Sequence, residues 1–382
     1  MDAGAGADAQ RPGAAGAEAP ETSSPGAAAR SAPVRVDRDL VRSLLTAPGP
    51  RDHKYTRGVV QLCTGSEEFP GAAVLSASSA VRAGPGMVRY AGPSTPTALA
   101  LAAMPELVTG FGRSDCVVAG SGIRRLDPDA DERAARVLEL VGSGVAAVLD
   151  AGALGLVAGE PFGTEPGPRL AGAASPTNGR DSAFRGAPKG EIRPLDVVLT
   201  PHAGELADLA RLLQPGREVA REEIEDDDGW LYAEGIARST GATVLLKGSA
   251  TRIVSPLGER WTHESPTSRL AVAGSGDVLA GLIGALVAQD RAHARATGGR
   301  PARIGELAGA GAWIHARAAL AASIELAGAP RGEALRVAVA TAPASASTAS
   351  AAVPGAAQRP QAPITALDIV AAVPGVIARL LA

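Results

Sequence analysis

This chain of 382 residues predicts an α/β fold with a mostly parallel central sheet covered by helices on both faces. Two observations carry that expectation. Short apolar runs rich in Val, Leu and Ala alternate with helical stretches, as parallel strands and their crossover helices do. Glycines and polar residues gather where the apolar runs end, and open α/β sheets bind ligands outside the carboxyl ends of their strands. A 46% hydrophobic composition at this length is ample for a sizeable core.

In chain order, "GVVQLCTG" (58–65) reads as a strand and "GAAVLSASSAVRAG" (71–84) as a helix of small residues. "MVRYAG" is a strand, and "CVVAGSG" (116–122) is a strand ending in glycines. "DERAARVLELVGSG" (131–144) is a helix closed by glycine, and "AAVLDAGAL" (146–154) a buried strand followed by a turn. "DVVLTPH" (196–202) is a strand, with "GELADLARLL" (204–213) and "WLYAEGIARSTG" (230–241) as helices. "ATVLLKG" and "TRIVSP" are strands joined by a tight turn. "DVLAGLIGALVAQ" reads as a helix, "ELAGAGAWIHARAALAAS" (306–323) as another, and "ALDIVAAVPGVIARLL" closes the chain.

Three stretches fall outside this pattern. Residues 1–38 read as an Ala/Gly/Pro-rich tail that cannot bury enough apolar surface to offset the entropy of ordering. Residues 163–191 and 341–363 read as low-complexity inserts within a domain spanning 39–382. The net charge is −3 with scattered Lys and Arg, so no footprint for nucleic acid or an anionic membrane is expected. The run 278–289 is too short to span a bilayer and reads as a buried helix. The start has no basic and apolar signal regions, and Cys63 and Cys116 form neither a disulfide framework nor a ligand pattern. The expected location is therefore cytoplasmic.

Neither a Walker A loop nor the Rossmann G-x-G-x-x-G run is present. "LAVAGSGDVLAG" (270–281) is more informative. Gly274 and Gly276 let backbone N–H groups approach an oxyanion, and the helix beginning near Asp277 adds its N-terminal partial charge. A carboxylate there is a poor phosphate ligand but a suitable general base beside an attacking hydroxyl. Asp277 reads equally as an N-cap of a core helix. In "LTPHAGE" (199–205), Pro201 suits a first helical position and His202 reads either as part of a helix start or as a ligand contact. In "VLLKGSATRIVSP" (244–256), Lys247 sits where strand meets turn. It reads as a phosphate partner or as a solvated hairpin lysine. His263, His293 and His315 have no metal-ligand spacing, and His315 reads as a packed or interfacial histidine.

Taken in order, "HKYTRG", "GAAVLSASSAVRAG", "VVAGSG", "VLDAGAL", "VLTPHAGE", "LLKGSAT" and "LAVAGSGDVLAGLIGALVAQ" resemble the ADP-dependent NAD(P)H-hydrate dehydratases of the ribokinase-like superfamily. The resemblance implies a three-layer sandwich and a repair reaction. The hydroxyl of a hydrated nicotinamide ring is phosphorylated from ADP, giving AMP, and phosphate is then expelled to restore NADH or NADPH. It implies Asp277 as the catalytic acid-base group. It also implies nucleotide contacts at Lys247, Gly248, Ser249, Ala250, Thr251 and Gly276. Contacts to the hydrate are implied at His202, Gly122, Ala72 and Asp277. Mg²⁺ accompanying ADP, a homo-tetramer and an epimerase on a separate chain are further implications.

Two departures from the family pattern stand out. "GSGIR" replaces a Gly-Pro-Gly-Leu-Gly run, with Arg124 at its last glycine, and Gly152 replaces the second acid of an Asp-Ala-Asp run. Two other readings remain open at this point. One is a small-molecule kinase of the same superfamily, of the hydroxyethylthiazole-kinase type. The other is a degenerate nucleotide-binding module.

Overall fold

The computed structural model describes residue 1 and residues 32–122, 130–158, 194–214, 216–226, 229–340 and 359–382. Most of the expected tail, the insert at 163–191, most of the insert at 341–363 and Arg124 lie outside the described residues.

The chain begins with β1 (Val34–Arg35), α1 (Arg38–Leu44), β2 (Val59–Cys63), α2 (Pro70–Arg82), β3 (Met87–Tyr90), α3 (Ser94–Ala103) and β4 (Val108–Thr109). It continues through β5 (Cys116–Ala119), α4 (Ala130–Gly142) and β6 (Ala146–Leu149), and a 3₁₀ helix at Ala151–Ala158 leads to β7 (Val197–Leu199). Next come α5 (Ala203–Leu213), α6 (Arg221–Asp226), α7 (Trp230–Thr240), β8 (Thr243–Leu246), β9 (Ala250–Val254) and β10 (Arg260–Glu264). The last helices are α8 (Ser275–Thr297), α9 (Ile304–Leu326), α10 (Arg331–Ala340) and α11 (Ala366–Leu381).

Among the described residues, ten strands join one sheet in the order β1-β10-β9-β8-β7-β6-β5-β2-β3-β4, and only the β8–β9 and β9–β10 pairings are antiparallel. The expected mostly parallel sheet is therefore present, and Pro33–Ala382 forms one unit around it. Side chains alternate across the sheet with the period of two that a strand imposes. Val118, Val148, Val198 and Leu245 pack into a core shared with α2, α8, α9, α10 and α11. Val117, Ala147, Val197 and Val244 face the other way, into a core shared with α4, the 3₁₀ helix, α5 and α7. Burial on both faces explains why these strands are apolar throughout.

Every strand and helix read from the sequence is present, and several further elements accompany them. β1 and β4 are two residues each and carry no periodic signal. β10, "RWTHE", alternates buried and half-buried residues because it lies toward the sheet edge beside β9. The expectation for Pro201 is corrected. The first residue of α5 is Ala203 and its N-cap is His202, so Pro201 precedes the helix.

α8 is buried along 278–288 and sits against α2 at unusually short range. A Cβ on Gly281 would lie 2.3 Å from the Ser76 carbonyl oxygen, and the Ser79 hydroxyl donates to the Val278 carbonyl at 2.6 Å. The neighbouring backbone has no flexible end to withdraw. Gly281→Ala should therefore destabilise the chain by about 1–3 kcal/mol through overpacking. Urea denaturation checks this, and an unchanged midpoint would show that the two helices part without cost.

Candidate functional site

β5, β6, β7 and β8 lie side by side and parallel, so their carboxyl ends open on one edge. The residues that follow them are Ser121, Asp150, Thr200 and Lys247. Backbone bonds carry the ladder past the strand ends. Asp150 N–H donates to Ala119, Thr200 N–H to Leu149 and Lys247 N–H to Pro201. The chain is thereby held in register where the polar side chains begin.

Asp150 is buried at the centre of this row. Its Oδ1 accepts from Lys247 Nζ at 2.8 Å and from the Thr200 hydroxyl at 2.8 Å. Its Oδ2 lies 3.1 Å from the Ser121 hydroxyl. Lys247 Nζ also lies 3.5 Å from Glu205 Oε2. Burial works against the Lys247 ammonium, but the Asp150 and Glu205 carboxylates outweigh it and raise its pKa. Directly after Asp150, Ala151 adopts φ +45°, a left-handed conformation unusual for a residue with a Cβ.

α8 closes the row from the other side. Its N-cap is Gly274, with φ +83°, a conformation suited to glycine. Ser275, Gly276 and Asp277 form the first turn, whose N–H groups lack intrahelical partners and carry the positive end of the helix dipole. Asp277 is not the N-cap. Its Oδ1 accepts from the Ser121 hydroxyl at 2.6 Å, and its Oδ2 lies on the side of the Gly274 turn. A Cβ on Gly276 would lie 3.6 Å from Lys247 Nζ and about 4.0 Å from Asp150 Oδ2. The absent side chain therefore leaves room between the helix turn and the ammonium. That arrangement offers an anion both N–H groups and a cation, with a carboxylate alongside.

His202 caps α5 by a reciprocal pair of bonds. Its Nδ1 accepts from Glu205 N–H at 3.2 Å, and Glu205 Oε2 accepts from His202 N–H at 2.8 Å. With Nδ1 as acceptor, a neutral ring carries its hydrogen on Nε2, on an exposed side chain. Gly122 follows Ser121 with φ +68°, and a Cβ there would meet Ala72 Cβ at 2.4 Å. These two residues from different segments are thus in close contact.

The row accordingly brings together Asp277, Gly276, Lys247, Gly122, Ala72 and His202. Gly248 and Ser249 are exposed on the β8–β9 turn, and Ala250 and Thr251 begin β9 half-buried. "HKYTRG" lies at the amino end of β2, away from the row, where the Arg57 guanidinium donates to the Gly84 carbonyl. His315 is buried against the Ser275 hydroxyl at 3.4 Å, and burial pushes its pKa down to about 4. His263 is buried in β10 and pushed down to about 3, chiefly by burial.

Sequence reasoning did not assign Ser121, Asp150, Thr200 or Glu205 to the site. One signal could have found the first three, since each is a polar residue directly after, or one glycine beyond, an apolar strand run. Among the described residues no three His, Cys, Asp or Glu side chains are grouped to hold a metal ion. A magnesium ion carried on nucleotide phosphates needs mainly phosphate oxygens and water, so the site is compatible with one arriving that way.

The sequence model of the NAD(P)H-hydrate dehydratase family matches residues 60–166 and 191–330. The bifunctional NAD(P)H-hydrate repair enzyme Nnr of Mycobacterium tuberculosis is 38% identical over 247 residues, covering 63% of this chain and 43% of that protein. The chain thus spans less than half the length of that relative. The ADP-dependent (S)-NAD(P)H-hydrate dehydratase of Xanthomonas campestris pv. campestris is 35% identical over 259 residues, covering 63% of this chain and 76% of that protein. The fold is similar to a crystal structure of the ADP/ATP-dependent NAD(P)H-hydrate dehydratase of Bacillus subtilis co-crystallised with ATP/Mg²⁺. The TM-score is 0.59 at 20% identity, over 91% of this chain and 98% of that one. A ribokinase-like superfamily protein of Enterococcus faecalis V583 also matches at TM-score 0.59 and 18% identity, over 91% and 96% of the two chains.

Burial raises the pKa of Asp277 above its ordinary 3.8, and Asp150 adds to this, while Ser121 and Lys247 pull it down. The folded chain then binds that proton more tightly than the unfolded chain. Stability is therefore lost as pH rises from the ordinary carboxylate value through the raised one. Asp277→Asn removes the cost of burying the charge. The variant should melt higher than wild type at pH ~7, with the gap closing below pH ~4. Thermal melts across that range check the sign, and a wild type that melts at or above the variant at neutral pH contradicts it.

Proposed function

The chain belongs to the NAD(P)H-hydrate dehydratase family, and we propose that it dehydrates the hydrated forms of NADH and NADPH at the expense of ADP. The reading rests above all on Asp277, a carboxylate in the first turn of α8 with one oxygen tied to Ser121 and the other beside the Gly274 turn. In it, the N–H groups of that turn and the Lys247 ammonium receive the terminal phosphoryl group of ADP. The nucleotide runs along Gly248, Ser249, Ala250 and Thr251, and Mg²⁺ enters with it. The hydrate lies on the side of Gly122, Ala72 and the exposed side chain of His202.

Asp277 removes the proton from the hydroxyl of the hydrate as its oxygen attacks the β-phosphorus. The bridging P–O bond of ADP breaks and AMP leaves. The ring nitrogen beside the phosphorylated carbon then supplies the electron pair that expels phosphate. Loss of a proton from the neighbouring carbon restores the dihydropyridine. Hydroxide is a poor leaving group and phosphate a good one, which is why a lyase would use a phosphoryl-transfer site. The same reading makes the chain a cytoplasmic homo-tetramer. No helix among the described residues is long and apolar enough to cross a membrane.

Incubation with chemically prepared hydrate, ADP and Mg²⁺ tests the reading, following recovery of the reduced cofactor and release of phosphate. Both products should appear together. Accumulation of a phosphorylated hydrate would indicate a kinase instead, and ADP binding without phosphate release a module without turnover. Asp277→Asn should cut turnover by ~10²-fold or more while leaving ADP affinity largely intact. Near-normal turnover in that variant removes the base from the mechanism.

A further inference from the structure

Ser121 is buried and owns one hydroxyl hydrogen, yet its oxygen lies within hydrogen-bonding distance of two carboxylates. An ionised carboxylate only accepts, so this hydroxyl serves one of them at a time. The contact to Asp277 Oδ1 is 2.6 Å, in the short range of a bond to an ionised oxygen, and the contact to Asp150 Oδ2 is 3.1 Å. Need differs as well. Asp150 already receives hydrogens from Lys247 and Thr200. Among the described residues, Ser121 is the only hydrogen-bond donor to the Asp277 carboxylate.

We infer that Ser121 is the positioning residue of this site. Its hydrogen holds Asp277 Oδ1 while that carboxylate is ionised, leaves Oδ2 free toward the glycine turn, and swings to Asp150 once Asp277 carries a proton. The inference rests on the dehydratase reading for the step in which Asp277 gains that proton. Once Oδ2 is protonated, Oδ1 is a weaker acceptor. Asp150 Oδ2, 3.1 Å from the same hydroxyl, then becomes the better partner without any heavy atom moving. No proton passes through the serine; only the hydroxyl rotor changes direction.

Other groups act on the same carboxylate. Asp150 at the end of β6 opposes its ionisation and Lys247 at the end of β8 favours it. Behind Lys247 stand Glu205 and His202 at the start of α5, and His315 of α9 packs against Ser275 in the same helix turn. Burial sets Asp277 toward its neutral form, and Ser121 is the hydrogen-bond donor working against it.

Ser121→Ala removes one oxygen and adds no bulk. The acid limb of kcat should move up by about one pH unit, with turnover about tenfold lower below the limb and KM for ADP little changed. Ser121→Thr, which keeps the hydroxyl, should bring the limb back. An unmoved limb, or a loss uniform across pH, overturns the inference. A ¹³C titration of the Asp277 carboxyl, identified by its absence in Asp277→Asn, reads the same shift in wild type and Ser121→Ala without turnover. Should wild type prove inactive while the carboxyl still shifts, the dehydratase reading fails and the role of Ser121 in holding Asp277 ionised stands. An active wild type whose carboxyl is unmoved by Ser121→Ala overturns the role of Ser121 alone.

Discussion

Asp150 places a carboxylate at the buried carboxyl end of a central strand, and such a charge persists there only if donors surround it. That one constraint organises the neighbouring strand ends. Thr200 just after β7, Lys247 just after β8 and Ser121 from the turn after β5 all converge on it. The parallel register supplies the geometry. Strands that run side by side in one direction end side by side, and the first polar residue after each apolar run arrives at the same edge. The ammonium that compensates Asp150 is also the group available to a phosphate.

The second half of the site depends on how closely helices pack. α8 brings Asp277 to the row because small residues let it lie on α2 and on the sheet. Gly281 faces the Ser76 carbonyl and Gly284 faces Val118 of β5, both at ranges that exclude a side chain. The helix then starts at the Gly274 turn, and Gly276 leaves room beside the Lys247 ammonium. Stability is given up in the process. Asp277 is half-buried near another carboxylate, and Ala151 holds a left-handed backbone. Both features stand at the site and none of the core requires them, a pattern expected where function sets the local structure.

Much of the fold was legible because buried parallel strands write themselves as short apolar runs. Val59–Cys63, Cys116–Ala119, Ala146–Leu149 and Thr243–Leu246 each read correctly from residue type alone. β1 and β4 were not, because a two-residue strand at a sheet edge has no period to detect. At the site, glycines advertised the α8 turn, and Asp277 and Lys247 stood out beside them. Ser121 and Asp150 did not, since a serine between glycines or an acid before a turn reads as turn chemistry. Only the strand order, which brings residues distant in sequence together at β5, β6 and β8, shows what they touch. His202 carried both of its possible meanings at once. Its Nδ1 serves the helix while the side chain as a whole stays exposed, with Nε2 3.6 Å from Glu205 Oε2.

The proposed chemistry requires a carboxylate that faces the phosphoryl group gripped by a glycine turn. A crystal structure with ADP and Mg²⁺ bound tests this most directly. The terminal phosphate should rest on the N–H groups of Gly276 and Asp277 with Lys247 beside it, and Asp277 Oδ2 should face the open side of the phosphorus. A terminal phosphate seated elsewhere, or an Asp277 side chain turned away from it toward the protein interior, would contradict the account.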